Sequence, residues 1–131
     1  MENIEFKGYK DVFYFPDIYF DAEKGICEIA GESFLEDSVK FYSPYIEWIK
    51  EYLTKNDSLV INFKLTYFNT SSSKRILDIL KLVKEFIKQG KNIEINWFFL
   101  IDDEDILMEV EDFAIIADVK INIFDRNSVV N

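Results

Sequence analysis

Four consecutive hydroxyl residues, Thr70-Ser71-Ser72-Ser73, lie between Asn69 and Lys74. Ser and Thr are preferred helix caps, so the plain reading is that one of the four caps a helix. One cap does not need four hydroxyls. A helix mouth also presents unpaired N–H groups and partial positive charge, so the same stretch could hold an anion. A second polar run, Asp102-Asp103-Glu104-Asp105, offers carboxylates that could hold Mg²⁺ or Ca²⁺. Its spacing is not that of an EF-hand, and adjacent helical residues do not converge on one ion. Acids at the first turn of a helix, favoured by the macrodipole, are the simpler reading. The chain has no His, which excludes Ser-His-Asp and Cys-His catalysis and His-containing metal sites. Gly8, Gly25, Gly31 and Gly90 form no phosphate-binding loop, and no cofactor fingerprint is visible. No catalytic residue, metal ligand or cofactor is therefore assigned. An enzyme built on this chain would have to rely on carboxylates, Lys, Tyr and Ser/Thr.

The hydroxyl run is positioned by the best strand and the best helix in the sequence. Leu59 to Phe68 reads LVINFKLTYF, with apolar residues at 59, 61, 63, 65 and 67 and polar ones at 62, 64 and 66. That alternation predicts a strand. Ile76, Leu77, Ile79, Leu80, Val83, Phe86 and Ile87 share one helical face, which predicts a helix over 72–88 closed by Gly90. Ile93 to Phe99 alternates again, so strand, helix and strand form a right-handed parallel βαβ unit. A helix over 104–117 and a short strand over 120–124 follow. Both strands of the unit carry polar residues on their second face, namely Asn62, Lys64, Thr66, Glu94 and Asn96. Parallel strands covered on both faces read as continuous apolar runs. Helices are therefore expected mainly on one face.

Upstream, Ile4 to Tyr9 starts the sheet. Val12 to Phe20 reads as a strand with an edge position or a bulge at Pro16, and pairs across Asp21–Gly25 with Ile26–Ala30. Ser33-Phe34-Leu35-Glu36 has the form of a capping box, opening a helix that runs to Leu53. Pro44 inside that helix predicts a kink, or a break with Ser43 capping a second segment. The whole is an α/β fold with a mixed sheet of about five strands, an N-terminal hairpin plus the parallel unit, in one domain over 1–131 with a frayed tail at 125–131. Trp97 is in phase with the core, whereas Trp48 is one residue out of phase, either a boundary residue or an exposed partner anchor.

Composition narrows the partners. Hydrophobic content of 49% and aromatic content of 17% exclude disorder. Fifteen basic against twenty-five acidic residues leave a net charge of −10, which disfavours nucleic acid and anionic membranes and favours a solubility role or a basic protein partner. The single Cys27 suits a small buried strand residue. MENIEFKGYK is not a signal peptide, no apolar run approaches ~18 residues, and a cytoplasmic location is expected. The loops after neighbouring parallel strands gather at one sheet edge, so Asp102, Asp103, Glu104 and Asp105 border the hydroxyl loop as a candidate partner surface.

YFNTSSSK with LDIL behind it, together with FYSPYIEWIKEYL and NWFFLIDDEDILMEVEDF, resembles the SiaC family of bacterial regulatory phosphoproteins over Gly8 to Phe124. The resemblance implies a fold similar to the STAS domains of anti-sigma-factor antagonists. It implies that Thr70 is the phosphoacceptor, served by a partner kinase and a PP2C-type phosphatase. Asn69, Ser71, Ser72, Ser73 and Lys74 would form the phosphate's surroundings. It further implies that the unmodified form engages an effector, a diguanylate cyclase in the type member, placing the chain in c-di-GMP signalling and biofilm regulation. Glu32 stands where the family pattern has a basic residue and Leu35 where it has Pro, and YKDVFYFPDIYFD matches loosely. These departures bear on the partner's identity. Two other readings stand beside this one: a constitutive interaction module with Thr70 unmodified, and a carboxylate-based enzyme or small-ligand domain at the acidic loop. The last requires a deep polar pocket near Asp102–Asp105.

Overall fold

A computed structural model describes residues 1–99 and 102–125. In chain order the elements are β1 (Ile4–Phe6), β2 (Tyr9–Lys10), β3 (Tyr14–Phe15), β4 (Asp17–Asp21), β5 (Ile26–Ser33), α1 (Ser38–Lys55), β6 (Ser58–Phe68), α2 (Thr70–Lys88), β7 (Asn92–Phe98), α3 (Glu104–Ala117) and β8 (Asn122–Phe124). Six strands form one sheet in the order β1-β4-β5-β6-β7-β8, and β2 and β3 form a small hairpin. Strands β5 to β8 are mutually parallel, while β4 is antiparallel to both β5 and β1. The strand count exceeds the expected five by one. Of the tail expected to fray, 126–131 lies outside the described residues.

Each parallel step is joined by a helix, and the steps advance in one direction across the sheet. Right-handed crossovers then put all three helices on the same face. Burial agrees: Cys27 and Ile29, Leu59, Ile61, Phe63 and Leu65, and Ile95 and Trp97 are all buried against the helices. The opposite face is polar. Asn62, Asn96 and Asn122 stand in register on three neighbouring strands and pass a hydrogen bond from each to the next, at 2.9 and 3.0 Å. Lys64 pairs with Glu28 at 2.6 Å beside them.

Four local expectations are corrected. Val12 to Phe20 is not one strand: Pro16 separates β3 from β4, and β4 is internal, lying between β1 and β5. Ser33 is not a helix cap. β5 runs on to Ser33, which pairs with Phe68, so α1 begins at Ser38 with Asp37 as its cap, accepting from Lys40 N–H at 3.0 Å. Pro44 does not break α1, which is a single helix. Tyr42 before the proline and Tyr45, Ile49, Tyr52 and Leu53 after it bury on one face, and that packing outweighs a local cost of about 3 kcal/mol. Trp48 is not an exposed anchor. It is 7% exposed, stacks on Tyr52, abuts Phe20 and donates its ring N–H to the Glu2 carbonyl. Strands β1 and β4 extend the sheet beneath α1, so the helix buries a wider arc than its apolar stripe suggests.

The end of β6 departs from simple alternation. Gly31 pairs with Leu65 but Glu32 pairs with Tyr67, so Thr66 is an extra residue in β6. The bulge turns Tyr67 outward, at 44% exposure, and Phe68 inward, at 6%. Phe68 then packs on Trp97 and Phe113. Opposite the bulge, Gly31 has φ +96°, in the region that favours glycine, with only the Asp17 carboxylate within 4 Å of a would-be Cβ. There is room for a methyl group but not a relaxed backbone for it. Gly31→Ala should therefore lower stability by about 1–3 kcal/mol, read as an earlier midpoint in urea unfolding. A midpoint equal to that of the parent would show that the bulge does not depend on glycine.

Candidate functional site at the mouth of helix α2

The register that buries Phe68 also decides where α2 begins. Asn69 N–H donates to the Ser33 carbonyl at 3.0 Å, the last rung joining the ends of β5 and β6. The next residue starts the helix, two residues earlier than the sequence spacing predicts. Asn69 itself is the cap: its side-chain oxygen accepts from Ser72 N–H at 2.9 Å and its backbone carbonyl accepts from Ser73 N–H at 2.8 Å. Its side-chain NH₂ donates to the Leu35 carbonyl at 2.9 Å. None of the four hydroxyls caps the helix, contrary to the plain sequence reading. Asn caps as well as Ser does, and the sequence reading passed over Asn69 in favour of the four hydroxyls.

The four hydroxyls differ in what holds them. Ser72 is fully buried and accepts from Ser33 Oγ at 2.7 Å, and Ser33 Oγ lies 2.8 Å from the Tyr42 hydroxyl. Burial pushes the Tyr42 phenol well above its ordinary pKa, against a smaller opposing effect of the Ser33 bond, so Tyr42 stays a neutral member of this chain. Ser71 Oγ donates to Ser38 Oγ at 2.7 Å, and Ser38 Oγ donates to the Ser71 carbonyl at 2.8 Å, which ties the first turns of α1 and α2 together. Ser73 Oγ bonds back to the Thr70 carbonyl at 2.9 Å. Thr70 is exposed, occupies the first helical position, and its hydroxyl has no partner among the described residues. The roles of Ser33, Ser38 and Tyr42 were not found from the sequence. Ser33 and Ser38 meet the loop across separations of 39 and 33 residues, and Tyr42 joins through Ser33.

Charge around the mouth is mixed: the exposed Glu36 and Asp37 lie between Leu35 and Ser38, which bond Asn69 and Ser71. Lys74, one turn beyond Thr70, is exposed and enters no ion pair among the described residues. Arg75 points elsewhere, its Nε 2.9 Å from the Asp78 carboxylate, near enough for an ion pair but misaligned for a hydrogen bond. The first-turn N–H groups that Asn69 does not engage have no intrahelical acceptor. Among the described residues the mouth of α2 therefore presents one unengaged hydroxyl, the positive end of a helix and one exposed, unpaired ammonium, with the remaining hydroxyls held by the fold.

The acidic run lies at the same sheet edge, since Asn69 and Asp102 follow adjacent parallel strands. Asp103 caps α3, accepting from the N–H groups of Asp105 and Ile106 at 3.0 and 3.2 Å. Asp102, Glu104 and Asp105 are exposed. Among the described residues no three His, Cys, Asp or Glu side chains are grouped to hold a metal ion. The hollow beside them, about 250 Å³, is floored by Phe99, Leu107 and Ile123 with the carboxylates at its rim. It is not the deep polar pocket that a carboxylate-based enzyme requires. No helix among the described residues is long and apolar enough to cross a membrane.

Known proteins share this architecture. The chain is 29% identical over 99 residues, 75% of its length and 79% of the relative's, to an uncharacterised protein of Pseudomonas aeruginosa (strain UCBPP-PA14). It superposes on the crystal structure of apo-SiaC from P. aeruginosa with a TM-score of 0.84 and 26% identity, covering 95% of this chain and 99% of that one. It superposes equally, at a TM-score of 0.84 and 25% identity over 93% of this chain and 98% of the other, on a chain in the structure of the P. aeruginosa diguanylate cyclase SiaD in complex with its activator SiaC. Residues 9–126 match the model of the SiaC family regulatory phosphoproteins, and the chain belongs to that family.

Proposed function

We propose that the protein is a non-enzymatic signalling switch in which reversible phosphorylation of Thr70 controls binding of an effector protein. The observation that carries this reading is the sorting of the hydroxyls: Ser71, Ser72 and Ser73 are bonded or buried, and Thr70 alone is exposed and unengaged. A kinase must draw its acceptor into its own active site, and Thr70 can be drawn without breaking the cap or the buried hydroxyl chain. A kinase and a PP2C-type phosphatase are the enzymes this cycle needs. A diguanylate cyclase is the effector class suggested by the solved complex of the related SiaC.

The sign of the switch follows from local physics. A phosphate adds about −1.5 to −2 charge at neutral pH. The helix mouth and Lys74 can accommodate it on the free protein. An effector packed on the bare Thr70 loop would have to strip the dianion of water. Without a matching Arg cluster that costs several kcal/mol, and about 1.4 kcal/mol is tenfold in affinity. Phosphorylation therefore releases the effector without unfolding the loop.

Two measurements test the reading. Kinase-treated protein should carry its phosphate on Thr70, and calorimetry with the cognate cyclase should show the phosphoprotein binding at least about tenfold more weakly than the unmodified form. Thr70→Ala should keep the affinity and Thr70→Glu should lower it partially. Phosphate on Ser72 or Ser73, or undiminished binding by the phosphoprotein, would overturn the mechanism, while a protein that binds its effector but is never phosphorylated would be a constitutive module. Stability separates the loop's two duties. Asn69→Ala should cost about 0.5–2 kcal/mol in chemical unfolding, whereas Thr70→Ala should stay within about 0.5 kcal/mol of the parent. A large loss for Thr70→Ala would make that residue structural first.

A further inference from the structure

Helix α3 carries Glu104, Asp105, Glu109, Glu111 and Asp112 and no basic residue. The other two helices contain internal ion pairs, Glu51 with Lys55 on α1 and Asp78 with Arg75 and Glu85 with Lys88 on α2. None of the five carboxylates of α3 meets a cation among the described residues. Asp105 and Glu109 stand at i,i+4 and Glu109 and Asp112 at i,i+3, spacings at which like charges destabilise a helix. Burial, then Asp105, Asp103 and Asp112, lift the Glu109 carboxyl above its ordinary value. The last turn has no basic residue to meet the negative end of the helix. By its own charges α3 is arranged against itself.

Large apolar side chains stand exposed among these acids, Met108 at 63% and Ile115 at 76%, whereas Ile116 borders a hollow lined by Lys81, Lys84 and Lys88 and lies outside the acidic face. Met108 and Ile115 are seven residues apart, so they lie on one line two turns long, about 10.5 Å. At the N-terminal end of the helix, the hollow floored by Phe99, Leu107 and Ile123 has Asp102 and Glu104 on its rim. A Lys or Arg side chain suits that hollow, with its stem on the apolar floor and its head among the carboxylates. We propose that the outer face of α3, with this hollow, docks an amphipathic helix of a partner protein whose apolar residues are bracketed by Lys and Arg. A second copy of this chain would set five carboxylates against five, and an anionic lipid surface would be repelled in the same way. The inference extends the reading of the protein as an interaction module, and it does not depend on phosphorylation of Thr70.

The test is fluorescence anisotropy at physiological ionic strength with a labelled leucine–lysine peptide, its leucines at helical i, i+3, i+4, i+7 spacing. The control is a scrambled peptide of the same composition and charge. The amphipathic peptide should bind at least about tenfold more tightly than the scrambled one. The Met108→Ser/Ile115→Ser double variant should lose about tenfold, and Glu111→Lys/Asp112→Lys should lose as much or more. Val12→Ser, an equally exposed apolar site away from α3, should change nothing. Thermal melts read alongside confirm that each variant is folded, as substitution at exposed positions should leave it. Equal binding of the two peptides, or no effect of either α3 variant, would show only general attraction to an acidic chain and overturn the proposal. These affinities stand whether or not phosphate is ever found on Thr70.

Discussion

The mouth of α2 exists because β5 and β6 run in parallel to their ends and slip by one residue before they finish. Up to Gly31 and Leu65 the pairing is regular. The bulge at Thr66 then shifts the register, so that Ser33 meets Phe68 rather than Tyr67. That shift puts Phe68 into the aromatic cluster with Trp97 and Phe113, and Ser33 beneath the loop, where it bonds Ser72 and Tyr42. The same shift fixes Asn69 as the residue after the last rung and therefore as the helix cap. The position of Thr70 is in this sense a consequence of strand register. Nothing in the local sequence of the loop would place it without the pairing of β5.

The division between what was legible and what was not follows the range of the interactions involved. The strand at β6, the helices α2 and α3, the polar second face and the core position of Trp97 are written in periodicity over a few residues, and periodicity is read locally. The cap of α2 was sought among the four hydroxyls, and the strand register placed it one residue earlier, at Asn69. Ser33 looked like the start of a capping box because Glu36 follows it, yet sheet pairing claimed its backbone first. Trp48 looked out of phase because the width of the buried arc on α1 depends on how far the sheet extends beneath it, and that is set by β1 and β4. Pro44 reads as a kink or a break on local rules, and the break does not occur because packing on both sides of it holds one helix.

Electrostatics makes the α2 mouth and the acidic edge complementary parts of one surface. A chain at −10 is a poor host for further negative charge in general. At the mouth of α2 the helix end and Lys74 offset that cost within a few ångströms. Exposed charges separated by more than about a Debye length, roughly 8–10 Å, are largely screened from one another. In the proposed switch the phosphate would act at contact, through desolvation, whereas the acidic edge would act at longer range and on encounter rates.

Because Asn69 is the cap, the hydroxyl next to it has no capping duty, as the proposed modification requires. Had Thr70 been the cap, its oxygen would be holding the N–H of the second or third helical residue, and a phosphate there would rebuild that bond around a dianion. Helix stability and signalling state would then be linked, and an inactive protein would also be a differently folded one. Here the cap, the buried Ser33–Ser72–Tyr42 chain and the Ser38–Ser71 tie all lie on the protein side of the loop, and Thr70 lies on the solvent side. The proposed switch would change the chemistry of a surface while leaving the scaffold beneath it unaltered. An effector would then distinguish the two states by contact with a few atoms at Thr70, and discrimination would rest on desolvation at that point rather than on a change of fold.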